Sequence, residues 1–137
     1  MSAKLHRIVK EHLFEVAMAT PRVATAKIAA ALVYKGKVCA YGVNTMKSNP
    51  FQKKYGMNEH SIYPHAEIAA IKNCLRNFDV ESLRHMTLLV CRVKWHEDVG
   101  MWGMGLARPC KGCQAAIVEF GIKKVFYSTD ENTMEVL

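Results

Sequence analysis

The longest uninterrupted apolar run, Ile28 to Tyr34, is seven residues long. A bilayer-spanning helix needs about 20, so a membrane partner is not expected. Seven residues match a buried strand. Directly after the run, Lys35-Gly36 supplies a two-residue turn into Lys37 to Val43. That pattern predicts a β-hairpin and makes a sheet the framework of the chain.

The remaining segments alternate around this hairpin. Leu5, Ile8, Val9, Leu13, Val16 and Ala17 recur at helical spacing, which predicts an amphipathic helix over residues 3–19 ended by Thr20-Pro21. Residues 44–63 have no clear period and read as a long loop, a length usually reserved for function or disorder. His65 to Asn77 reads as a helix and Met86 to Val93 as a buried strand. Residues 94–108, with Gly100, Gly103 and Gly105, read as irregular. Cys110 to Phe120 reads as a helix stopped by Gly121, and Lys123 to Tyr127 as a last strand. Strands alternating with helices after a hairpin imply crossovers and a mixed sheet covered on both faces. The expected fold class is therefore α/β, a three-layer α/β/α sandwich. With 137 residues and about 100–200 per domain, residues 1–137 are expected to form one domain with its own core.

Charge is unevenly placed. The net charge is +7, and all of that excess lies in residues 1–64, because the rest carries equal numbers of acids and bases. A basic half suits an anionic partner, either a phosphorylated small molecule or nucleic acid, or simply a solvated lysine-rich surface. The five cysteines, an odd number, form no disulfide framework. Glu11 and Glu15 interrupt the N-terminal apolar positions and argue against a secretory leader. Reduced thiols in the cytoplasm are the expectation. Cys39, Cys74 and Cys91 lie in apolar runs and read as core thiols, whereas His6, His12, His60, His85 and His96 read as surface or capping residues.

Two short segments carry chemistry: Pro64-His65-Ala66-Glu67 and Pro109-Cys110-Lys111-Gly112-Cys113. Each opens a predicted helix, whose first N–H groups and positive end favour thiolates. Cysteines at i and i+3 on a first turn can share a metal, and His65 adds a third ligand. Three ligands leave one tetrahedral position of zinc open, as in catalytic rather than structural sites. Zinc lowers the pKa of its water from about 15.7 to about 7, and Glu67 is the carboxylate placed to take that proton. A redox Cys-x-x-Cys would leave the His-Ala-Glu segment unexplained, and a structural metal would leave Glu67 without a task.

An H-x-E segment followed by P-C-x-x-C is the signature of zinc nucleobase deaminases, and the chain resembles the cytidine/deoxycytidylate deaminase superfamily over most of its length. The resemblance implies Zn²⁺ held by His65, Cys110 and Cys113. It makes Glu67 the catalytic residue, moving protons to the ring nitrogen and to the leaving ammonia. It sets the Ala66 N–H against the ring's oxygen substituent and brings Asn44 to the sugar or base. Pro109, before the first cysteine, joins this candidate substrate-binding set.

The substrate within the superfamily is a choice between loops. Lys47, Lys53 and Lys54, in a stretch of residues 44–55 without an acid, suit a substrate phosphate. Trp95, His96, Met101, Trp102, Met104 and Arg108 precede Pro109-Cys110 and are expected near the pocket mouth, stacking on a base or forming a subunit interface of a homo-oligomer. The first expectation is a deaminase of a small-molecule cytosine nucleotide, of the deoxycytidylate or cytidylate type. Ala69 stands where that branch often has Asn, and no effector-binding segment is recognisable. The alternative is a deaminase of cytosine or adenine bases within RNA or single-stranded DNA. It is supported by the Cys113-Gln114-Ala115-Ala116-Ile117 run and the basic half, with Phe51 and Tyr55 as stacking candidates. A further alternative is a zinc-bearing interaction module without catalysis.

Overall fold

A computed structural model describes residues 1–20, 27–44 and 65–137. The long loop expected over 44–63 lies outside the described residues apart from Asn44, as do Lys47, Lys53, Lys54, Phe51 and Tyr55.

The N-terminal helix forms as the periodicity predicts, with one wide turn inside it. It runs as α1 (Ala3–Ile8), a π turn (Val9–Leu13) and α2 (Phe14–Ala19). Ser2 caps its start by accepting the Leu5 N–H at 3.2 Å. The π turn inserts one residue into the helical repeat, and the stripe Ile8, Val9, Leu13 and Ala17 stays buried throughout. At the end Thr20 turns extended, and its hydroxyl donates to the Val16 carbonyl at 2.8 Å.

The hairpin is β1 (Lys27–Tyr34) and β2 (Lys37–Val43). Lys35 and Gly36 both have positive φ, +48° and +77°, the geometry whose twist matches two antiparallel strands. Then come α3 (Ala66–Cys74), a short α4 (Val80–Leu83), β3 (Thr87–His96), β4 (Met101–Gly105), α5 (Lys111–Glu119), β5 (Lys124–Ser128) and β6 (Met134–Val136). The strand order is β2-β1-β3-β5-β6, with β4 also paired to β3. β3 and β5 are parallel, and the other pairs are antiparallel.

Residues 94–108 are irregular only at 97–100 and 106–108, where the sequence reading expected irregularity throughout. Residues 94–96 complete β3, and Met101–Gly105 return as β4 against Arg92 to His96. Two glycines in five residues dilute the strand signal of β4. They are accommodated because Arg92, Lys94 and His96 lie across them: a Cβ on Gly105 would sit 3.1 Å from Arg92 Cδ, and one on Gly103 3.0 Å from the His96 ring. β5 and β4 therefore occupy one edge of β3 in succession, at Thr87 to Val90 and then Arg92 to His96.

Alternation along the strands divides the core. Ala29, Ala31, Val33, Leu89, Cys91 and Val93 face the N-terminal helix, packing on Ile8, Val9, Leu13 and Ala17. Ala30, Leu32, Leu88 and Val90 face α3 and α5, packing on Ile68, Ile71, Cys113 and Ile117. This is the three-layer α/β/α arrangement with a mixed sheet in the middle.

Candidate metal and catalytic site

The helix-bearing face of the sheet places two helix starts together. His65 is the N-cap of α3, in extended conformation with φ −82° and ψ 155°. Its position depends on a close approach below it. A Cβ on Gly42 of β2 would overlap the Ala66 carbonyl oxygen and Ala70 N, and would lie 2.7 Å from the Ala69 carbonyl carbon. Only glycine lets the first turn of α3 rest on the strand this closely. Cys110 is the N-cap of α5, with φ −69° and ψ 170°, and Cys113 lies in the first turn. The Gln114 side-chain amide reaches back to donate to the Pro109 carbonyl at 2.8 Å, fixing the peptide that leads into Cys110.

His65 Nδ1 lies 3.5 Å from Cys110 Sγ and 3.3 Å from Cys113 Sγ. The three ligand atoms lie within 4.8 Å of one another. Tetrahedral zinc, with bonds of about 2.3 Å to sulfur and 2.0–2.1 Å to nitrogen, sets neighbouring donors about 3.5 Å apart. The soft donor set and its spacing both fit zinc.

The charges point the same way. A hydrogen bond from Cys113 is the largest influence holding the Cys110 thiol down, at about 4 against an ordinary 9.0, and His65 adds to it. The same contact pushes Cys113 up, reinforced by its burial. Two thiols this close therefore share one negative charge, and holding two is a task for a cation. The helix start expected from the sequence contributes as well, through the Cys113 backbone N–H. Cys110 keeps His65 above its usual range, against burial, which lowers it. Elsewhere burial is the main cause that drives the thiols up, Cys74 to about 11 with Cys39 adding to the rise, and Cys91 to about 12 against Ser128. Both lie in the core as expected, while Cys39 is only half-buried.

Glu67 lies in the first turn of α3 and is 5% exposed. Burial pushes its carboxyl above the usual range, against its own backbone N–H and His65, which lower it. Ala66, the first helical residue, is buried, and its N–H belongs to the first turn, where donors have no intrahelical acceptor. Asn44 follows β2, two residues past Gly42, and is buried. Its side-chain oxygen accepts the Ile28 N–H at 3.0 Å, so it also closes the β1–β2 ladder. Pro109 is buried beside Cys110.

The aromatic residues expected at the pocket mouth turn the other way. Trp95 and Trp102 are cross-strand partners in an edge-to-face pair, with centroids 5.9 Å apart. They share the face of Val93 and Met104, which pack with the N-terminal helix, and Lys27 lies 5.6 Å over Trp102. Period-2 alternation decides this, and an irregular segment would not have imposed it. Arg108 is engaged by Tyr127, whose hydroxyl accepts its Nη1 at 3.1 Å. The sequence reading also passed over Arg92. The signal was its strand parity with Leu88 and Val90, which puts it on the helix-bearing face.

Several solved structures are similar to this one. Cytidine deaminase from Burkholderia pseudomallei aligns with a TM-score of 0.66 and 19% identity, covering 100% of this chain and 92% of that one. The dCMP deaminase of cyanophage S-TIM5 aligns in its apo form with a TM-score of 0.60 and 19% identity, covering 94% and 86%. Its complex with dCMP and dUMP aligns with a TM-score of 0.59 and 19% identity, covering 94% and 84%. No curated protein sequence matches the chain. A sequence profile described as the cytidine and deoxycytidylate deaminase zinc-binding region matches residues 4–129. With that profile spanning nearly the whole chain, the protein belongs to the zinc-dependent cytidine and deoxycytidylate deaminase family.

Proposed function

We propose that the protein hydrolytically deaminates a cytosine nucleotide of the deoxycytidylate or cytidylate type, giving the uracil nucleotide and ammonia. The observation that carries this reading is the buried Glu67 carboxylate two residues from His65, in a turn that faces Cys110 and Cys113. His65, Cys110 and Cys113 would hold the zinc. Bound there, zinc supplies a Lewis-acid centre and an acidified water. The residues of the chain do the rest. Exchanging an amino group for oxygen moves one proton to the ring nitrogen and another to the departing amine. Glu67 carries both, and its burial makes the carboxylate a stronger proton acceptor than an exposed one. The Ala66 N–H, at the positive end of α3, faces the ring oxygen. Asn44 and Pro109 border the substrate, and Lys47, Lys53 and Lys54 supply positive charge for its phosphate. The whole of residues 1–137 acts as one catalytic domain, working in the cytoplasm as a homo-oligomer. The basic first half and the five cysteines support these readings, and no described helix is long and apolar enough to cross a membrane.

The test is an ammonia-release screen of zinc-loaded protein against cytosine and adenine as base, nucleoside, monophosphate, triphosphate and oligonucleotide. The highest kcat/KM is expected on a cytosine monophosphate. Turnover confined to oligonucleotides, or to adenine compounds, overturns the substrate assignment.

A further inference from the structure

The sheet register aligns two rows of residues on the face that carries α3 and α5. Gly42, Ala30 and Val90 are cross-strand partners, and this row lies under the first turn of α3. One step beyond the helix start, Asn44 sits opposite Ile28, Ile28 opposite Arg92, and Arg92 opposite Gly105. Residues directly opposite in a ladder share a face, so Asn44 and Arg92 flank Ile28 on one floor. The Arg92 end of that floor is tied to the segment leading into Cys110. Ser128 accepts the Arg92 N–H at 3.0 Å and donates to the Gly105 carbonyl at 2.6 Å, and its own carbonyl accepts the Ala107 N–H at 2.9 Å. Arg92 thus stands between the strand end that precedes the His65 helix and the segment that precedes the cysteine helix.

The Arg92 side chain lies over Gly105, where a partner side chain would otherwise stand. Its Nε is buried and has no hydrogen-bond partner among the described residues. The acid whose charge responds to it, Asp130, is already engaged by Lys94 at 3.0 Å and by the Leu106 N–H at 3.1 Å. A guanidinium cannot shed its proton, so this shielded Nε donor is left without an acceptor among the described residues.

We infer that Arg92 is a specificity-determining residue that binds the phosphate of the substrate, making the site selective for a nucleoside monophosphate over the nucleoside. This rests on the nucleotide reading above and adds to Lys47, Lys53 and Lys54 a phosphate contact from the sheet. A planar guanidinium grips a phosphate through two parallel hydrogen bonds.

The test compares zinc-loaded wild type, R92Q and R92K on cytidine, deoxycytidine and their 5′-monophosphates. R92Q is expected to lower kcat/KM for the monophosphate about tenfold or more beyond any change on the nucleoside, and R92K to recover part of that loss. Equal losses on both substrates, or none on the monophosphate, overturn the assignment. Thermal shifts give a readout independent of turnover: CMP should raise the Tm of wild type more than cytidine does, and R92Q should lose the difference. If wild type deaminates neither compound, the substrate reading fails, while the CMP shift and its loss still decide the role of Arg92. If R92Q does not fold, R92K carries the comparison, because an ammonium lacks the planar two-point grip.

Discussion

The two faces of the sheet are built from the same strands and do different work. Toward the N-terminal helix, the interior residues are aliphatic, with Cys91 and Met104 among them, and Leu13 and Ala17 are fully buried. Toward α3 and α5, an equally apolar core gives way at one end to Glu67, Asn44 and Arg92. The first face has mainly packing to lose, its buried Ser128 hydroxyl being satisfied by the Arg92 N–H and the Gly105 carbonyl. The second holds polar groups out of water, which costs stability unless each has a partner or a ligand. Stability and chemistry are thus separated by the period-2 alternation of β1 and β3, residue by residue.

If this division holds, substitutions on the two faces should fail in different ways. The largest effect is expected at Glu67. E67Q should lower kcat about 10²–10⁴-fold while the protein still carries one zinc per chain by metal analysis; retained turnover would remove Glu67 from proton transfer. Next comes L13A on the opposite face. It should cost about 2–5 kcal/mol in denaturant unfolding and leave zinc content and KM as in wild type. A loss of zinc there would show that the two faces are coupled. G42A tests the junction of the catalytic helix with the sheet. Its Cβ meets backbone rather than a mobile side chain, so about 1–3 kcal/mol should be lost, with weakened zinc retention against a chelator. Loss of stability without loss of zinc would mean that α3 shifts as a unit. The smallest effect belongs to neither face. E81Q removes an ion pair to Arg84 whose side chains are 76% and 53% exposed, and unfolding should change by less than about 1 kcal/mol.

Much of this arrangement was legible in the sequence. The hairpin turn needs two residues of positive φ, and Lys35-Gly36 is a pair that announces it. The residues that could hold a metal sit in two short motifs at helix starts, where local chemistry and local structure coincide. What escaped prediction depends on tertiary partners. β4 is a strand because β3 extends beside it, which a segment with Gly103 and Gly105 does not advertise. β6 has three residues, and the Val80–Leu83 turn has four, marked only by the Asp79 cap. The direction of Trp95 and Trp102 follows from a register that no local pattern sets. Arg92 looks like a lone base in an apolar run until the cross-strand rows place it across Ile28 from Asn44.

The shared edge of β3 has a practical meaning for anyone re-engineering the protein. Its first half is locked between β1 and β5, whereas its second half carries a hairpin whose tip, residues 97–100, is exposed. A peptide tag or a longer tip inserted there would extend outward without shifting the register of Thr87 to Val90 beneath. The same insertion within Thr87 to Val90 would have to break the parallel pairing with Lys124 to Tyr127. The chain therefore comes with a replaceable head on a fixed stem, and the head is the part that presents Lys94 and His96 across its glycines.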